Sequence, residues 1–118
     1  MLSALCGTPW FPDLDGAILV LEDVNEAVYR IDRMLIQLRL AGVLQRCVGI
    51  AFGAFTHADE EEGTGGARPL AAVLEETARV MNVPCVAGIP IGHIADQWTI
   101  PLGAMAELNA ERKTLTVL

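Results

Sequence analysis

The sequence has few basic side chains, few aromatic residues and almost no serine. Only eight of its 118 residues are lysine or arginine, against fifteen acidic residues, and the formal net charge is −7. A surface that binds nucleic acid or anionic lipid needs clusters of basic side chains to neutralise the phosphates. The composition therefore argues against nucleic acid and against a membrane surface as partners.

Long apolar runs and closely spaced cysteines are also missing. No apolar run reaches the roughly 18 residues needed to span a bilayer, and the chain does not start with the pattern of a signal peptide. Cys6, Cys47 and Cys85 are scattered and have no CxxC spacing. This spacing predicts free buried thiols in a reducing compartment and disfavours a structural metal site.

Apolar residues nevertheless make up 53% of the chain, which is enough for the core of one domain of this length. Continuous apolar runs predict buried strands at Ala17–Leu21 and Val48–Phe52, and a short strand at Cys85–Ala87. Residues 99–102 are expected to be extended. A terminal hairpin is predicted from residues 104–108 and 114–117.

Two helices are predicted between these strands from apolar residues at steps of three and four. Asp23 and Glu26 have the spacing of a capping box, so we expect the first helix to begin there and to end at Ala41. The second begins near Pro69 and stops near Asn82. The order β-α-β-α-β-β-β predicts a single α/β domain with a mixed sheet.

Two residues are candidates for acid–base chemistry. Glu22 ends the first predicted strand, where α/β proteins gather functional groups; it either orients a histidine or is an ordinary loop acid beside a helix-capping Asp23. His93 lies in the glycine-flanked segment GIPIGH, and is either a general base or a structural histidine in a fixed loop. His57, the other histidine, opens an acidic loop and is expected to be exposed.

A third group of candidates lies near the start of the first helix. An arginine pair there is able to hold a substrate carboxylate through bidentate bonds. Alternatively, these charges pair within the helix or reach a neighbouring chain. The group comprises Asn25, Glu26, Tyr29, Arg30, Asp32 and Arg33. The chain contains neither GxxxxGK nor a well-placed GxGxxG, so no phosphate cradle is predicted.

The nucleophile that would complete such a site is not evident. The only serine is Ser3, in an irregular N-terminal segment, and no GxSxG sequence is present. A candidate base and carboxylate without a nucleophile suggest that the nucleophile lies elsewhere.

Three sequence segments, taken together and in this order along the chain, form a distinctive pattern. They are LCGTPWFPDLDGAILVLEDVNEAVYRIDRMLIQLRLAG from Leu5 to Gly42, VGIAFGAF from Val48 to Phe55, and GIPIGHIADQWTIPLG from Gly88 to Gly103. Together they resemble the C-terminal domain of the LD-carboxypeptidases, the muramoyl-tetrapeptide carboxypeptidases of the S66 serine peptidase group. The sequence departs from the family pattern at Gln97, where asparagine is expected, and in the acidic loop at 57–67.

The resemblance implies a Ser–Glu–His triad whose serine belongs to an N-terminal domain that this chain lacks. It assigns the histidine to His93 and the glutamate to Glu22, with Glu26 as the alternative. It also implies that residues 16–118 form the C-terminal domain, of the swivelling β/β/α type, and that residues 1–15 are a linker from the N-terminal domain.

The implied reaction is the removal of terminal D-alanine from murein tetrapeptides in the cytoplasm. It needs no metal or organic cofactor, and the family suggests a homodimer for the intact protein. The isolated chain is expected to be inactive. One alternative is a related peptidase that inactivates a peptide–nucleotide antibiotic. Another is a non-catalytic binding or dimerisation module that uses the helix bearing Arg30 and Arg33.

Overall fold

The computed structural model describes residues 1–58 and 68–118. Within these two ranges, two helices and five strands follow one another in the predicted order β-α-β-α-β-β-β, with short 3-10 turns at Leu2–Leu5 and Leu44–Arg46. The elements are β1 (Ile18–Val24), α1 (Val28–Leu40), β2 (Gly49–Thr56), α2 (Leu70–Met81), β3 (Cys85–Ala87), β4 (Ala106–Asn109) and β5 (Thr114–Val117). The predicted α/β class is confirmed.

The strands form two sheets. β1, β2 and β3 pair in parallel with β2 in the centre, while β4 and β5 form a separate antiparallel hairpin. Alternate residues of β2 face opposite layers: Ile50 and Phe52 pack with the apolar side chains of the two helices, whereas Ala51 packs with the cluster that includes Leu108 and Leu115 of the hairpin. The result is a hairpin, a parallel sheet and a helical layer. The central strands read as continuous apolar runs because both of their faces are covered.

The junction between β1 and α1 differs from the prediction. β1 continues through Val24, and α1 begins only at Val28 with Ala27 as its N-cap residue. Asp23 caps no helix; its carboxylate accepts a bond from the Val24 N–H at 2.8 Å. The capping-box prediction is wrong because pairing with β2 carries the strand past Asp23. The chain then turns at Asn25, which has a φ of 56°.

The remaining elements follow the predictions closely. α1 ends at Leu40 with Ala41 as C-cap, and α2 begins one residue after Pro69, its N-cap residue. Asn82 ends α2 in the left-handed conformation, at a φ of 52°. The strand at Cys85–Ala87 and the terminal hairpin are confirmed. Residues 99–102 belong to no helix or strand, and Pro101 there has no N–H to donate to a ladder.

Residues 1–15 are mostly irregular but are held against the domain. Gln37 on α1 donates to the Ser3 carbonyl at 3.0 Å, and Leu14 belongs to the core. Arg46 donates to the carboxylates of Asp13 and Asp15, each at 2.5 Å. The function of this segment as a linker stays a prediction.

The three cysteines are free thiols, as predicted, but burial is confirmed only for Cys47, because Cys6 and Cys85 are half-buried. Cys47 is buried, and this burial raises the pKa of its thiol despite the nearby Arg46. Burial likewise raises the pKa of the half-buried Cys85 thiol. Within residues 1–58 and 68–118, neither helix is long and apolar enough to cross a membrane.

Candidate active site

Glu22 lies on β1 at an irregularity in the parallel ladder. Leu21 is opposite Phe52, but Asp23 is opposite Phe55. Two residues of β2 therefore lie opposite one residue of β1, Glu22. Such a bulge bends the strand and changes the direction of the side chains around it. The two residues of β2 opposite Glu22 are Gly53 and Ala54, so β2 has one residue more than β1 at this point.

His93 lies on a loop that crosses this bulge; we call residues 88–94 the histidine loop. The Ala54 N–H donates to the Ile91 carbonyl at 2.7 Å, and the Thr56 hydroxyl donates to the His93 carbonyl at 3.1 Å. Gly92 has a φ of +127°, a conformation that favours glycine. The loop therefore continues along the edge of β2 and places His93 beside β1.

The structure brings Glu22 and His93 together from positions 71 residues apart. His93 Nδ1 lies 2.9 Å from Glu22 Oε2. An ionised carboxylate can only accept a hydrogen bond, so Nδ1 carries the proton and donates it. This arrangement leaves Nε2 unprotonated in the neutral ring, which is the tautomer that a general base requires.

The pair lies at the surface of the domain. The His93 side chain is 60% exposed and that of Glu22 is 31% exposed. Because Nδ1 is bonded to the carboxylate, Nε2 is the ring nitrogen that is left for a group outside the pair. A group that approaches from outside the domain can therefore exchange a proton with Nε2.

Ser3 does not complete this site. It is only 7% exposed and lies in the N-terminal turn packed against α1. With Glu22 and several apolar side chains it lines a cavity of about 80 Å³. Sites for drug-sized ligands usually measure about 300–1,000 Å³, so this cavity is too small for a tetrapeptide.

Arg30 and Asp32, in the charged group at the start of α1, both lie in ion pairs with other side chains of this domain. Arg30 Nη1 lies 3.3 Å from Glu26 Oε1, and the Arg30 Nε–H donates to the Tyr29 hydroxyl at 3.0 Å. Asp32 lies 3.7 Å from Arg68. Arg30 therefore pairs with Glu26, which lies just before α1, and Asp32 pairs with Arg68, which lies just before α2. Of the two candidate glutamates, Glu22 contacts His93 and Glu26 contacts Arg30.

The other sequence candidates lie at the surface. His57 is exposed, as predicted, at a φ of 56°. Asp96 and Gln97, which follow His93, are also exposed. Gly53 and Thr56, which contact the histidine loop, were not among the predicted site residues, although a glycine inside an apolar strand often marks the close approach of another backbone.

Comparison with known proteins identifies the family. Residues 1–108 match the family described as the LD-carboxypeptidase C-terminal domain. The chain belongs to this family. It is 39% identical over 98 residues to the murein tetrapeptide carboxypeptidase of Pseudomonas aeruginosa, which covers 82% of this chain and 31% of that protein.

Solved structures agree with this LD-carboxypeptidase assignment. The muramoyltetrapeptide carboxypeptidase from Oxalobacter formigenes matches with a TM-score of 0.81 and 37% identity, over 90% of this chain and 37% of that one. The microcin C7 self-immunity protein in complex with aspartyl sulfamoyl adenosine matches with a TM-score of 0.79 over 98% of this chain and 34% of that one, but with 23% identity. The latter likeness shows a shared fold alone. The chain spans about a third of the length of the curated relatives it matches.

Proposed function

We propose that this chain is the C-terminal domain of a serine-type LD-carboxypeptidase that removes terminal D-alanine from murein tetrapeptides. The observation that carries the proposal is the 2.9 Å bond between His93 Nδ1 and Glu22 Oε2, in a chain of the LD-carboxypeptidase C-terminal domain family. A histidine held by a carboxylate in this way is two thirds of a Ser–Glu–His triad. We propose that the serine lies in an N-terminal domain of the full-length protein.

The proposed mechanism uses the Nε2 edge of His93. Nε2 takes the proton of the serine hydroxyl as the serine oxygen attacks the amide carbonyl between the L-configured centre of the diamino acid and D-alanine. Glu22 holds the tautomer and stabilises the imidazolium. The imidazolium then gives its proton to the leaving amine of D-alanine, and water hydrolyses the acyl-enzyme with His93 again as base. Backbone amides of the N-terminal domain would bind the oxyanion, and no metal or organic cofactor takes part.

The exposure of the pair supports a site completed by a second domain. At 60% exposure, His93 is in contact with water, which weakens electrostatic interactions in the isolated domain. Docking of the N-terminal domain would exclude that water and bring the serine to Nε2. We therefore propose that the isolated 118-residue chain is inactive.

Substitutions in the full-length protein test this assignment. Glu22→Gln should lower kcat for D-alanine release by about 10⁴-fold and His93→Ala by about 10⁶-fold, as the corresponding triad substitutions do. Glu26→Gln is the matched control, since Glu26 bonds Arg30 instead of His93, and should stay within about twofold of the wild-type rate. A wild-type rate in His93→Ala or Glu22→Gln would reject the assignment, and turnover by the isolated chain would reject the claim that it is inactive.

A peptide–nucleotide conjugate is the second candidate substrate. The microcin C7 self-immunity protein of Escherichia coli is 26% identical to this chain over 117 residues. Parallel assays of the full-length protein on an L,D-tetrapeptide and on a peptidyl sulfamoyl adenosine distinguish the two classes. We expect preference for the tetrapeptide. The same preparation, measured by light scattering, tests the proposed homodimer, and cell fractionation tests the proposed cytoplasmic location.

A further inference from the structure

The histidine loop is bonded to β2 at regular intervals. Three bonds join alternate residues of β2 to alternate residues of the loop. They run from the Ile89 N–H to the Phe52 carbonyl at 3.2 Å, from the Ala54 N–H to the Ile91 carbonyl at 2.7 Å, and from the Thr56 hydroxyl to the His93 carbonyl at 3.1 Å. The loop therefore extends the pairing that β3 begins, and Thr56 supplies the last bond through its side chain.

Gly92, between the last two of these bonds, lies directly against the carboxylate of Glu22. A Cβ on Gly92 would be 3.0 Å from Glu22 Oε2 and 3.1 Å from the Ala54 carbonyl oxygen. The carboxylate and the backbone of β2 thus take the space that a side chain would need. The main chain at 92–93 has little room to move toward Glu22, so its position is set by the bonds on either side.

The Ala54 bond holds the histidine loop at Ile91, and the Thr56 bond holds it at His93. The His93 carbonyl belongs to the same residue as the imidazole, and the imidazole must stay within 2.9 Å of Glu22 Oε2. The Thr56 hydroxyl fixes this carbonyl to the end of β2, whose pairing with β1 also places Glu22. The positions of His93 and Glu22 therefore both depend on contacts with β2.

We infer that Thr56 is a positioning residue for His93. Its hydroxyl, by donating to the His93 carbonyl, keeps the imidazole in the orientation in which Nδ1–H meets Glu22. The relevance of this orientation to catalysis rests on the proposed function, but the orientation itself does not.

Nuclear magnetic resonance of the 118-residue chain tests the orientation directly. With ¹⁵N-labelled histidine, the shifts of the two ring nitrogens report which of them carries the proton. His57, the other histidine and an exposed one, is the internal reference. Thr56→Val removes the hydroxyl and keeps the shape of the side chain, whereas Thr56→Ala removes the hydroxyl and shortens the side chain. Thr56→Ser retains the hydroxyl. Thr8→Val is the matched control, because the Thr8 hydroxyl also bonds a backbone carbonyl, that of Leu5.

We expect the Nδ1–H tautomer of His93 to predominate in the wild-type chain and in two variants, Thr56→Ser and Thr8→Val. In Thr56→Val and Thr56→Ala, the ratio of the Nδ1–H to the Nε2–H tautomer should fall at least about threefold, because a neutral imidazole without a fixed acceptor at Nδ1 prefers the Nε2–H form. A wild-type ratio in both hydroxyl-free variants would overturn the inference. Circular dichroism confirms that each variant is folded.

Kinetics of the full-length protein supply the second readout. A shift in loop position on the order of 1 Å can lower the rate about 100-fold, and a smaller shift lowers it less. Thr56→Val should therefore lower kcat at least about tenfold with KM within about twofold, and Thr56→Ser should restore it. If the tautomer ratio changes as expected but the wild-type protein releases no D-alanine, the proposed function fails and the role of Thr56 stands.

Discussion

Replacing Gly53 with alanine should disturb the candidate site through a single contact. Gly53 lies in β2 opposite Glu22, and its φ is not in the left-handed region, so alanine is compatible with the backbone there. The space around Gly53, however, is too small for the methyl group of alanine. A methyl group would overlap the Ile91 carbonyl oxygen and would lie 3.3 Å from the Glu22 Cβ. Because both neighbours of the methyl group are held by the sheet, a side-chain rotation cannot relieve the overlap.

The size of the effect follows from this overlap. To reach an ordinary C···O separation of about 3.3 Å, the Ile91 carbonyl must retreat by about 1 Å. The bond that it accepts from the Ala54 N–H, now 2.7 Å, would lengthen to about 3.7 Å and be lost. Leaving these groups unpaired costs about 1–3 kcal/mol, and the stiffer unfolded chain offsets about 0.5–1 kcal/mol. We expect a net loss of up to about 2.5 kcal/mol, centred near 1 kcal/mol, in the free energy of unfolding.

The same displacement moves the loop that carries His93. A misplacement of about 1 Å in a catalytic group can lower the rate about 100-fold. Activity of the full-length protein should therefore fall much more than the modest loss of stability alone would cause. Urea unfolding of the 118-residue chain measures the first effect, and D-alanine release by the full-length protein measures the second.

Gly49→Ala is the control for this prediction. Gly49 begins the same strand, and a methyl group there would meet Leu108 Cδ2 at 2.9 Å and the Pro84 carbonyl oxygen at 3.3 Å. The nearer atom is the end of a side chain that can rotate away, so this variant should keep its activity and lose less than about 1 kcal/mol. If Gly53→Ala proves as stable and as active as Gly49→Ala, the argument from close approach is refuted.

Two further predictions concern residues remote from the pair. Cys47 is 3% exposed and burial raises its thiol pKa, so a thiol-specific reagent should reach it only when the chain opens, and modification in buffer should be much slower than in the urea-unfolded chain. Equal modification rates of Cys47 in the folded and the unfolded chain would contradict this. The bond from Arg46 lowers the pKa of Asp15 below its usual 3.8, so its stabilising contribution is present above 3.8 and disappears as the pH falls through the lower, folded-state pKa. Asp15→Asn should therefore lower the melting temperature slightly at neutral pH and not in strong acid; an equal difference at both pH values would show that the ion pair is not responsible.

Much of the secondary structure was predictable because it depends on local pattern. The apolar runs of β1 and β2 and the helical spacing in α1 and α2 each indicate burial on the faces that the structure covers. Asn82 ends α2 as predicted because asparagine tolerates the left-handed conformation that a helix stop requires. These features arise from neighbours within one turn or one strand.

Predictions failed where distant parts of the chain compete with local pattern. Asp23 and Glu26 have the spacing of a capping box, yet the ladder with β2 extends β1 to Val24 and delays the start of α1. Pairing with β2 gives the backbone of β1 several hydrogen bonds, whereas a helix cap gives it one or two. The capping signal is therefore overridden by pairing that a local window cannot detect.

The sequence by itself determined the α/β class, the order of the elements and the two residue types of the candidate site. Local spacing could not decide whether Glu22 or Glu26 meets the histidine, because the choice depends on a contact across 71 residues. Only the tertiary structure decided it: the bulge at Gly53 and Ala54, and the loop bonded along β2, bring His93 to Glu22. Such a contact is set by strand register and by the space between backbones, and both exist only once the chain has folded.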